Sequence, residues 1–477
     1  MMQLKRQYQR RRIESWDRAS RRIREKGQTG AHYHRLLQQY YRSMVPANLR
    51  VLELGAGHGD LLAALRPGTG VGVDFSMEMV QYASRKHPDL VFICADIHDL
   101  PLKGTFDIIV LSDLINDVWD VQVVLHNVRR LCHSGTRIIL NCFNNLWRWP
   151  IFIARALGKT VPFLEQNWFT PMDILNLLAL SGWERVMFES GILLPVNLSV
   201  VSWMANSVLA KVPPFSWLCI TNFIIARPMP GQGAQMHPLP RVSIIIPAKN
   251  EAGNIQMILD RTRIPDYEYE LIFVEGHSAD KTHDVIQSAI KNRPSSQYRL
   301  LRQPGKGKGD AIRTGFQAAR GDILAILDAD LCVRPEYLPR FLKALVDGKG
   351  EFINGVRLVY PTEGQSMRFM NMVGNKFFSI LFTWLLGQPV KDTLCGTKVF
   401  WKKDYERMEK LGPRFGKADP FGDFDLLFGA SALNLKIADM PVRYRKRTYG
   451  TTNIKRWKHG WILLKMTLLA IKKIKLK

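Results

Sequence analysis

The sequence predicts an α/β protein built as two domains, and three observations lead there. Apolar runs of strand length alternate with helix-like segments from residue 50 to about 142, and the alternation starts afresh at residue 242. Between the two series lies RPMPGQGAQMHPLPR (227–241), whose four prolines and two glycines continue neither a helix nor a central strand. Glycines and carboxylates cluster where the apolar runs end, which is where parallel sheets with helices on both faces gather their ligands.

The first series comprises VLELG (51–55), VGVD (71–74), LVFICAD (90–96), FDIIVLSD (106–113) and RIILNC (137–142). The second comprises VSIIIP (242–247), YELIFVEG (269–276), YRLLRQP (298–304), GDILAILDAD (321–330) and EFINGVRL (351–358). The expected division is a basic helical extension over 1–45, a first domain over 46–228 and a linker over 229–240. A second domain over 241–455 and a basic amphipathic helix over 456–477 complete it.

The 477 residues are 46% hydrophobic and 23% charged, a globular composition with enough apolar mass for two cores. The formal charge is +25, which points to anionic partners. It concentrates at the ends: ten Lys/Arg against three acids in residues 1–26, and twelve Lys/Arg with no acid from Arg443 onward. No nucleic-acid-binding pattern accompanies this charge, so an anionic membrane surface is the expected partner and nucleic acid is not. The six cysteines show no C-x-x-C spacing, against a zinc site or a disulfide framework. The start MMQLKRQYQRRR has no apolar run behind its charges and does not read as a secretory signal. The expected location is cytoplasmic, peripheral to the inner face of a membrane. The uncharged stretch 191–210 is broken by Pro195, Asn197 and Asn206 and is expected to pack on its domain or dip into an interface, with a transmembrane helix as the other reading.

In the first domain, Val51-Leu-Glu-Leu-Gly-Ala-Gly-His-Gly-Asp60 runs from strand through a glycine turn into a helix. Asp74 ends the next strand, where a carboxylate can accept both hydroxyls of a ribose, and Asp96 ends the third. A nicotinamide-binding turn would read G-x-G-x-x-G, which is lacking here. ELGAGHGD, GVGVD and CADIHDL, in this order and spacing, resemble the class I S-adenosylmethionine-dependent methyltransferases, with their Rossmann-like fold, over about residues 46–228. The resemblance implies Gly55, Gly57 and Gly59 at the methionine moiety, Asp74 on the ribose, Asp96 and Ile97 at the adenine, and Glu53 orienting the loop. Asp113, Asn116 and Asp117, after the fourth strand, are candidates for acceptor contact or for helix capping. The aromatic clusters FNNLWRWP (143–150) and QNWFTP (166–171) are expected mainly in the core, with the lining of an acceptor pocket as the other reading.

In the second domain, Glu251 follows the first strand, Glu275 and Asp280 the second, and Asp328-Ala-Asp330 the fourth, so their carboxylates should meet in one crevice. Residues i and i+2 of an extended segment project to one side. Asp328 and Asp330 can therefore serve a divalent cation, Mg²⁺ or Mn²⁺, which a diphosphate leaving group requires. PGKGKGD (304–310), with Lys308, precedes a helix and can cradle phosphates, though it is not a Walker loop. These features resemble the family-two glycosyltransferases of the GT-A fold, polyprenyl- and dolichyl-phosphate hexosyltransferases above all, over residues 241 to about 455.

This resemblance implies Pro247, Ala248, Glu251, Glu275, Asp280, Lys308 and Asp328 around a UDP- or GDP-linked sugar, and Asp328 and Asp330 at the metal. It also implies Arg357, Arg368, Asp392, Lys398 and Arg447 at phosphates of donor or acceptor, and Asp423 and Asp425 either as the base where the acceptor is a hydroxyl or as residues that only order the acceptor loop. The chain departs from the family at Glu275-Gly276, where two Asp are usual, at Lys249 and at Cys332. The aromatic stretch 369–387 and the lysine-striped helix from Trp457 favour a polyprenyl phosphate or related glycolipid acceptor. The implied activity is methyl transfer from S-adenosylmethionine joined to inverting hexose transfer. The other reading is a glycosyltransferase acting on a glycan hydroxyl beside a non-catalytic S-adenosylmethionine-binding module.

Overall fold

The computed structural model describes residues 2–26, 30–156, 164, 166–231, 238–291, 293–294, 297–357, 359, 369–412, 422–445, 447, 449 and 456–471. It divides into two compact units meeting at Met229 and Pro230. Arg368, much of the linker and the last six residues lie outside the described residues.

The first unit opens with α1 (Met2–Lys26) and α2 (Ala31–Met44). There follow β1 (Arg50–Leu54), α3 (Asp60–Ala64), β2 (Thr69–Asp74), α4 (Met77–Lys86), β3 (Val91–Cys94), β4 (Phe106–Leu111), α5 (Val121–Val128) and β5 (Cys132–Phe143). The unit ends with α6 (Arg148–Ala156), α7 (Pro171–Leu180), β6 (Trp183–Gly191), α8 (Val200–Ser207) and β7 (Thr221–Pro228). The sheet order is β3-β2-β1-β4-β5-β7-β6, parallel except for β7, which is antiparallel to both neighbours. Side chains alternate between its faces: Leu52, Leu54, Ile109 and Leu111 join one core cluster, Val51, Ile108 and Val110 the other. Burial on both faces is why these strands read as continuous apolar runs.

The second unit holds β8 (Val242–Ala248), α9 (Ile255–Arg261), β9 (Tyr269–Glu275), α10 (Thr282–Ile290), β10 (Tyr298–Arg302), α11 (Lys308–Ala318) and β11 (Ile323–Ile326). It continues with α12 (Leu338–Val346), β12 (Phe352–Val356), α13 (Phe369–Leu386), β13 (Lys398–Trp401), α14 (Lys402–Lys410), α15 (Asp423–Ala432), β14 (Ile437–Pro441) and α16 (Arg456–Ala470). Its sheet order is β10-β9-β8-β11-β13-β12-β14, with β13 antiparallel to β11 and β12. Val242, Ile244 and Ile246 of β8 face one cluster and Ile245 the other.

Four strands went unread in the sequence: β6, β7, β13 and β14. Among the described residues no helix is long and apolar enough to cross a membrane. The stretch 191–210 forms a loop and the short α8. The expectation that residues 143–150 pack in the core fails at Trp149, which is 71% exposed.

Trp183 fills the core beneath β6, and its indole N–H donates to the Leu125 carbonyl at 2.9 Å. Trp183→Ala is expected to lower the stability of the first unit by about 3–5 kcal/mol, read by chemical denaturation. A loss below about 1 kcal/mol would contradict this packing.

Candidate functional sites

In the first unit the glycine turn sits at the carboxyl end of β1. Gly55, Gly57 and Gly59 all have positive φ, at 71°, 51° and 77°. A side chain at Gly55 would strike Leu114, and one at Gly59 would strike Phe92. Above Gly57 there is open space, so that glycine is required by its backbone alone and leaves room for a ligand. Asp74 accepts the Gly57 N–H and the Ser76 N–H, both at 2.9 Å, one on each carboxylate oxygen. Each oxygen keeps a lone pair for a ribose hydroxyl. Burial raises the Asp74 carboxyl, opposed by these backbone N–H groups. Glu53 is buried behind the turn with Oε2 unpartnered, and burial holds its carboxyl well above the usual range. Asp96 lies two residues past β3, and Ile97 is buried beside it. Burial pushes the Asp96 carboxyl up, but hydrogen bonds from His98 and Gln9 prevail and hold it low.

Sequence reasoning expected a helical extension here but missed the role of α1, which crosses these strand ends. Gln9 donates to Asp96 at 2.6 Å, Asp17 accepts from the Ser76 hydroxyl at 2.5 Å, and Ser20 pairs with His58 at 2.9 Å. Trp16 donates to the Asp117 carboxylate at 3.1 Å, and Arg12 and Tyr8 to its carbonyl. The basic extension is thus a packed wall of the site. Asp117 is held by α1, and Asn116 is buried, donating to the Asn167 carbonyl at 2.6 Å. Of the three residues after β4, Asp113 is the one set apart by a left-handed backbone (φ 50°). It accepts from Tyr33 at 2.9 Å and Asn141 at 2.6 Å. Burial raises its carboxyl, and the nearby His34 opposes this.

In the second unit the carboxylates at the ends of β8 and β11 meet on one cation. Arg447 donates to Glu251 at 3.0 Å and to Asp330 at 2.8 Å. Asp280, in the loop after β9, accepts the Ala252 N–H at 3.4 Å and also bonds Thr282. It adds to the negative field at Glu251. Lys308, at the start of α11, pairs with Asp328 at 2.6 Å. Burial works against both charges, but their mutual attraction wins and holds Lys308 high and Asp328 low. Gly396 passes so close that a side chain there would collide with both. Ala248 is buried behind Gly276, whose N–H donates to its carbonyl at 2.9 Å; Pro247 precedes it on β8. Glu275 is buried and accepts the Ser278 N–H at 2.5 Å, so it braces its loop.

Three expected ligand contacts look inward instead. Asp392 is fully buried: Arg357 donates to it at 2.8 and 2.9 Å, Asn375 at 3.0 Å and the Leu394 N–H at 3.0 Å. Its carboxylate is spent on positioning Arg357 and has no oxygen left for an acceptor. Lys398 is fully buried against Asp423 at 2.7 Å. That pair fixes the start of α15, leaving neither group at the surface of a cleft. Asp425, two residues further along α15, is half-buried.

Among the described residues no three His, Cys, Asp or Glu side chains converge as a metal cage. The hard carboxylate oxygens of Asp328 and Asp330 nonetheless fit Mg²⁺ or Mn²⁺ binding, which commonly relies on one or two carboxylates and completes the shell with phosphates and water.

Comparison with known proteins assigns each unit to a domain family. A methyltransferase-domain family model matches residues 46–167, and the model of glycosyl transferase family 2 matches residues 243–408. The chain therefore joins an S-adenosylmethionine-dependent methyltransferase domain of Rossmann-like fold to a family-two glycosyltransferase domain of GT-A type. The second domain resembles polyprenyl-phosphate sugar transferases.

An undecaprenyl-phosphate 4-deoxy-4-formamido-L-arabinose transferase of Photorhabdus laumondii is 33% identical over 172 residues, 35% of this chain and 51% of that protein. A low-salt glycan biosynthesis hexosyltransferase of Haloferax volcanii is 27% identical over 230 residues, 46% of this chain and 52% of its own. The chain thus spans about half the length of these curated relatives. Among solved structures, glucosyl-3-phosphoglycerate synthase of Mycobacterium tuberculosis aligns at 19% identity, covering 50% of this chain and 81% of that one, with a TM-score of 0.37.

Two predictions follow from the buried charges. Lys398→Met should cost about 3–5 kcal/mol, because it strands Asp423, and Asp423→Asn in the same chain should restore part of the loss. Urea unfolding of the single and double variants checks this; additive losses would place the two groups apart. Burial pushes the Glu251 carboxyl from 4.5 up to about 7, with Arg447 opposing and Asp330 adding. The unfolded chain releases that proton first as pH rises, so this group's contribution to stability falls between 4.5 and about 7. Glu251→Gln should flatten the fall in the second unit's unfolding free energy across that window, and an unchanged slope would contradict the burial.

Proposed function

We propose that this chain is a bifunctional enzyme that works at the cytoplasmic face of a membrane. Its second domain transfers a hexose, with inversion, from a UDP- or GDP-sugar to polyprenyl phosphate or a related glycolipid. Its first domain transfers a methyl group from S-adenosylmethionine to an intermediate of the same lipid-linked series. The observation that carries the glycosyltransferase reading is the sharing of Arg447 by Glu251 and Asp330, with Asp328 held by Lys308.

In this reading Glu251, Asp280 and Glu275 with Pro247 and Ala248 shape the nucleotide loops, and Asp328 and Asp330 hold the divalent cation. A bound cation would neutralise the departing diphosphate. Lys308 and Arg447 carry positive charge to the same place, and Arg357, fixed by Asp392, faces a phosphate of donor or acceptor. A phosphate acceptor is ionised already and needs no general base. The burial of Asp423 against Lys398 favours it over a sugar hydroxyl. In the first domain Gly55, Gly57 and Gly59 surround the methionine moiety, Asp74 takes the ribose hydroxyls, and Asp96 and Ile97 flank the adenine. S-adenosylmethionine supplies an electrophilic methyl, and the protein's work is to align the acceptor with it. Asp113 stands where that acceptor would lie.

Incubating the full chain with UDP-, GDP- and CDP-sugars and polyprenyl phosphate, with products read by mass, tests the sugar transfer. One nucleotide sugar should yield a lipid-linked hexose only with Mg²⁺ or Mn²⁺, and Asp330→Ala should lower the rate at least about 100-fold. Full activity in excess chelator would contradict the metal assignment. Calorimetry with S-adenosylmethionine should show binding that Asp74→Ala weakens about tenfold or more, through lost hydrogen bonds to the ribose. Equal affinity would remove Asp74 from the site.

A further inference from the structure

The first unit carries an apolar ridge that neither its core nor its cofactor turn accounts for. Trp149, Trp203 and Trp217 are 71, 64 and 67% exposed, and Phe152, Val200 and Leu218 stand out beside them in the chain. The ridge is one built surface. Asn144 donates to the carbonyls of Trp217 and Cys219 at 2.8 and 2.9 Å, and the Trp147 indole donates to the Leu218 carbonyl at 2.8 Å. Asn206 of α8 ties down the 193–194 backbone with bonds of 2.8–2.9 Å.

Its place in the topology matters more than its size. The segment carrying α6 leaves the carboxyl end of β5. The segment carrying α8 leaves the end of β6 and returns into β7, where Phe143 and Gly191 both pair with Thr221. This is the edge that presents Gly57, Asp74 and Asp113. From the ridge, Phe143 lies 6.4 Å from Tyr33, whose hydroxyl donates to Asp113.

The chemistry selects the occupant. The sequence has no Asp or Glu from Ser190 to Asn250, nor from Cys142 to Leu164, whereas Arg148 is exposed within the ridge. A protein interface normally carries a polar rim. A face of exposed indoles and aliphatics with the exposed cation Arg148 among them, and with Lys211 already paired to Glu189 at 3.2 Å, suits the headgroup layer of an anionic bilayer.

We propose that this ridge seats the methyltransferase unit on an anionic membrane surface and turns the acceptor end of its sheet toward the lipid. The inference is independent of the sugar and of the nucleotide. It differs from the charged termini in resting on apolar side chains within the folded unit.

The test is flotation of the full chain with vesicles of phosphatidylglycerol and phosphatidylcholine, against phosphatidylcholine alone. Wild type should float with the anionic vesicles, and Trp149→Asp with Trp217→Asp should weaken binding about tenfold or more. S-adenosylmethionine binding by calorimetry and hexose transfer in detergent should both persist in that variant. They separate failure of this inference from failure of the proposed activities. The wild-type tryptophans should also be quenched by brominated lipid, a reading that needs no variant. Absence of wild-type flotation, equal flotation of the variant, or unquenched tryptophans would overturn the proposal. So would light scattering that showed a dimer split by the same substitutions with vesicle binding unchanged, since the ridge would then join two copies.

Discussion

The contact on which the second unit's chemistry depends is the shared guanidinium of Arg447 between Glu251 and Asp330. Parallel strands deliver acidic side chains to one edge, and carboxylates gathered out of water repel one another unless a cation lies between them. Lys308 does the same for Asp328. In the proposed reading an edge balanced in this way takes up a cation and a diphosphate together. Either charge, introduced alone, would upset the balance, whereas both together restore it. The buried pairs Arg357–Asp392 and Lys398–Asp423 stand behind this layer. The first holds the end of β12 to the loop before β13, and the second holds the start of β13 to the start of α15.

The first unit answers the same constraint with different groups. Asp74 and Asp96 are met by backbone N–H groups, by His98 and by α1, with few full charges. That suits a ligand whose contacts are hydroxyls and a base. Asp113, with a left-handed backbone and bonds from Tyr33 and Asn141, stands at the end of the aromatic path that runs from Phe143 through Tyr33. If the ridge rests on lipid, both domains meet substrates held in one surface. Tethering then raises the effective concentration of one domain's product at the other.

Much of this was legible in the sequence, and the reasons are physical. Strands β1, β2, β4, β8, β9 and β11 are buried on both faces and read as apolar runs. The glycines and carboxylates that end them read as sites. Strand β13 hid because it is four residues long and starts with a buried lysine, a residue type that composition places at the surface. The role of α1 was hidden too. Gln9, Trp16, Asp17 and Ser20 make contacts with residues far along the chain, and the helix around them reads as a basic segment suited to an anionic surface. The inward turn of Asp392 and Asp423 was unreadable for a related reason: an acidic residue in a loop looks the same whether it meets a ligand or a buried arginine or lysine. Trp149 went the other way: its aromatic cluster reads as core, and only the fold shows it facing out.

The central claim is that the edges of β8, β9 and β11 form one site for a cation and a nucleoside diphosphate. It is tested most directly by anomalous diffraction from crystals of the full chain grown with Mn²⁺ and UDP or GDP. The account predicts a manganese peak beside Asp330, with the nucleotide lying over the loops of Glu251 and Asp280. A manganese ion and nucleotide bound together elsewhere, with Glu251, Asp328 and Asp330 left as they are, would contradict it.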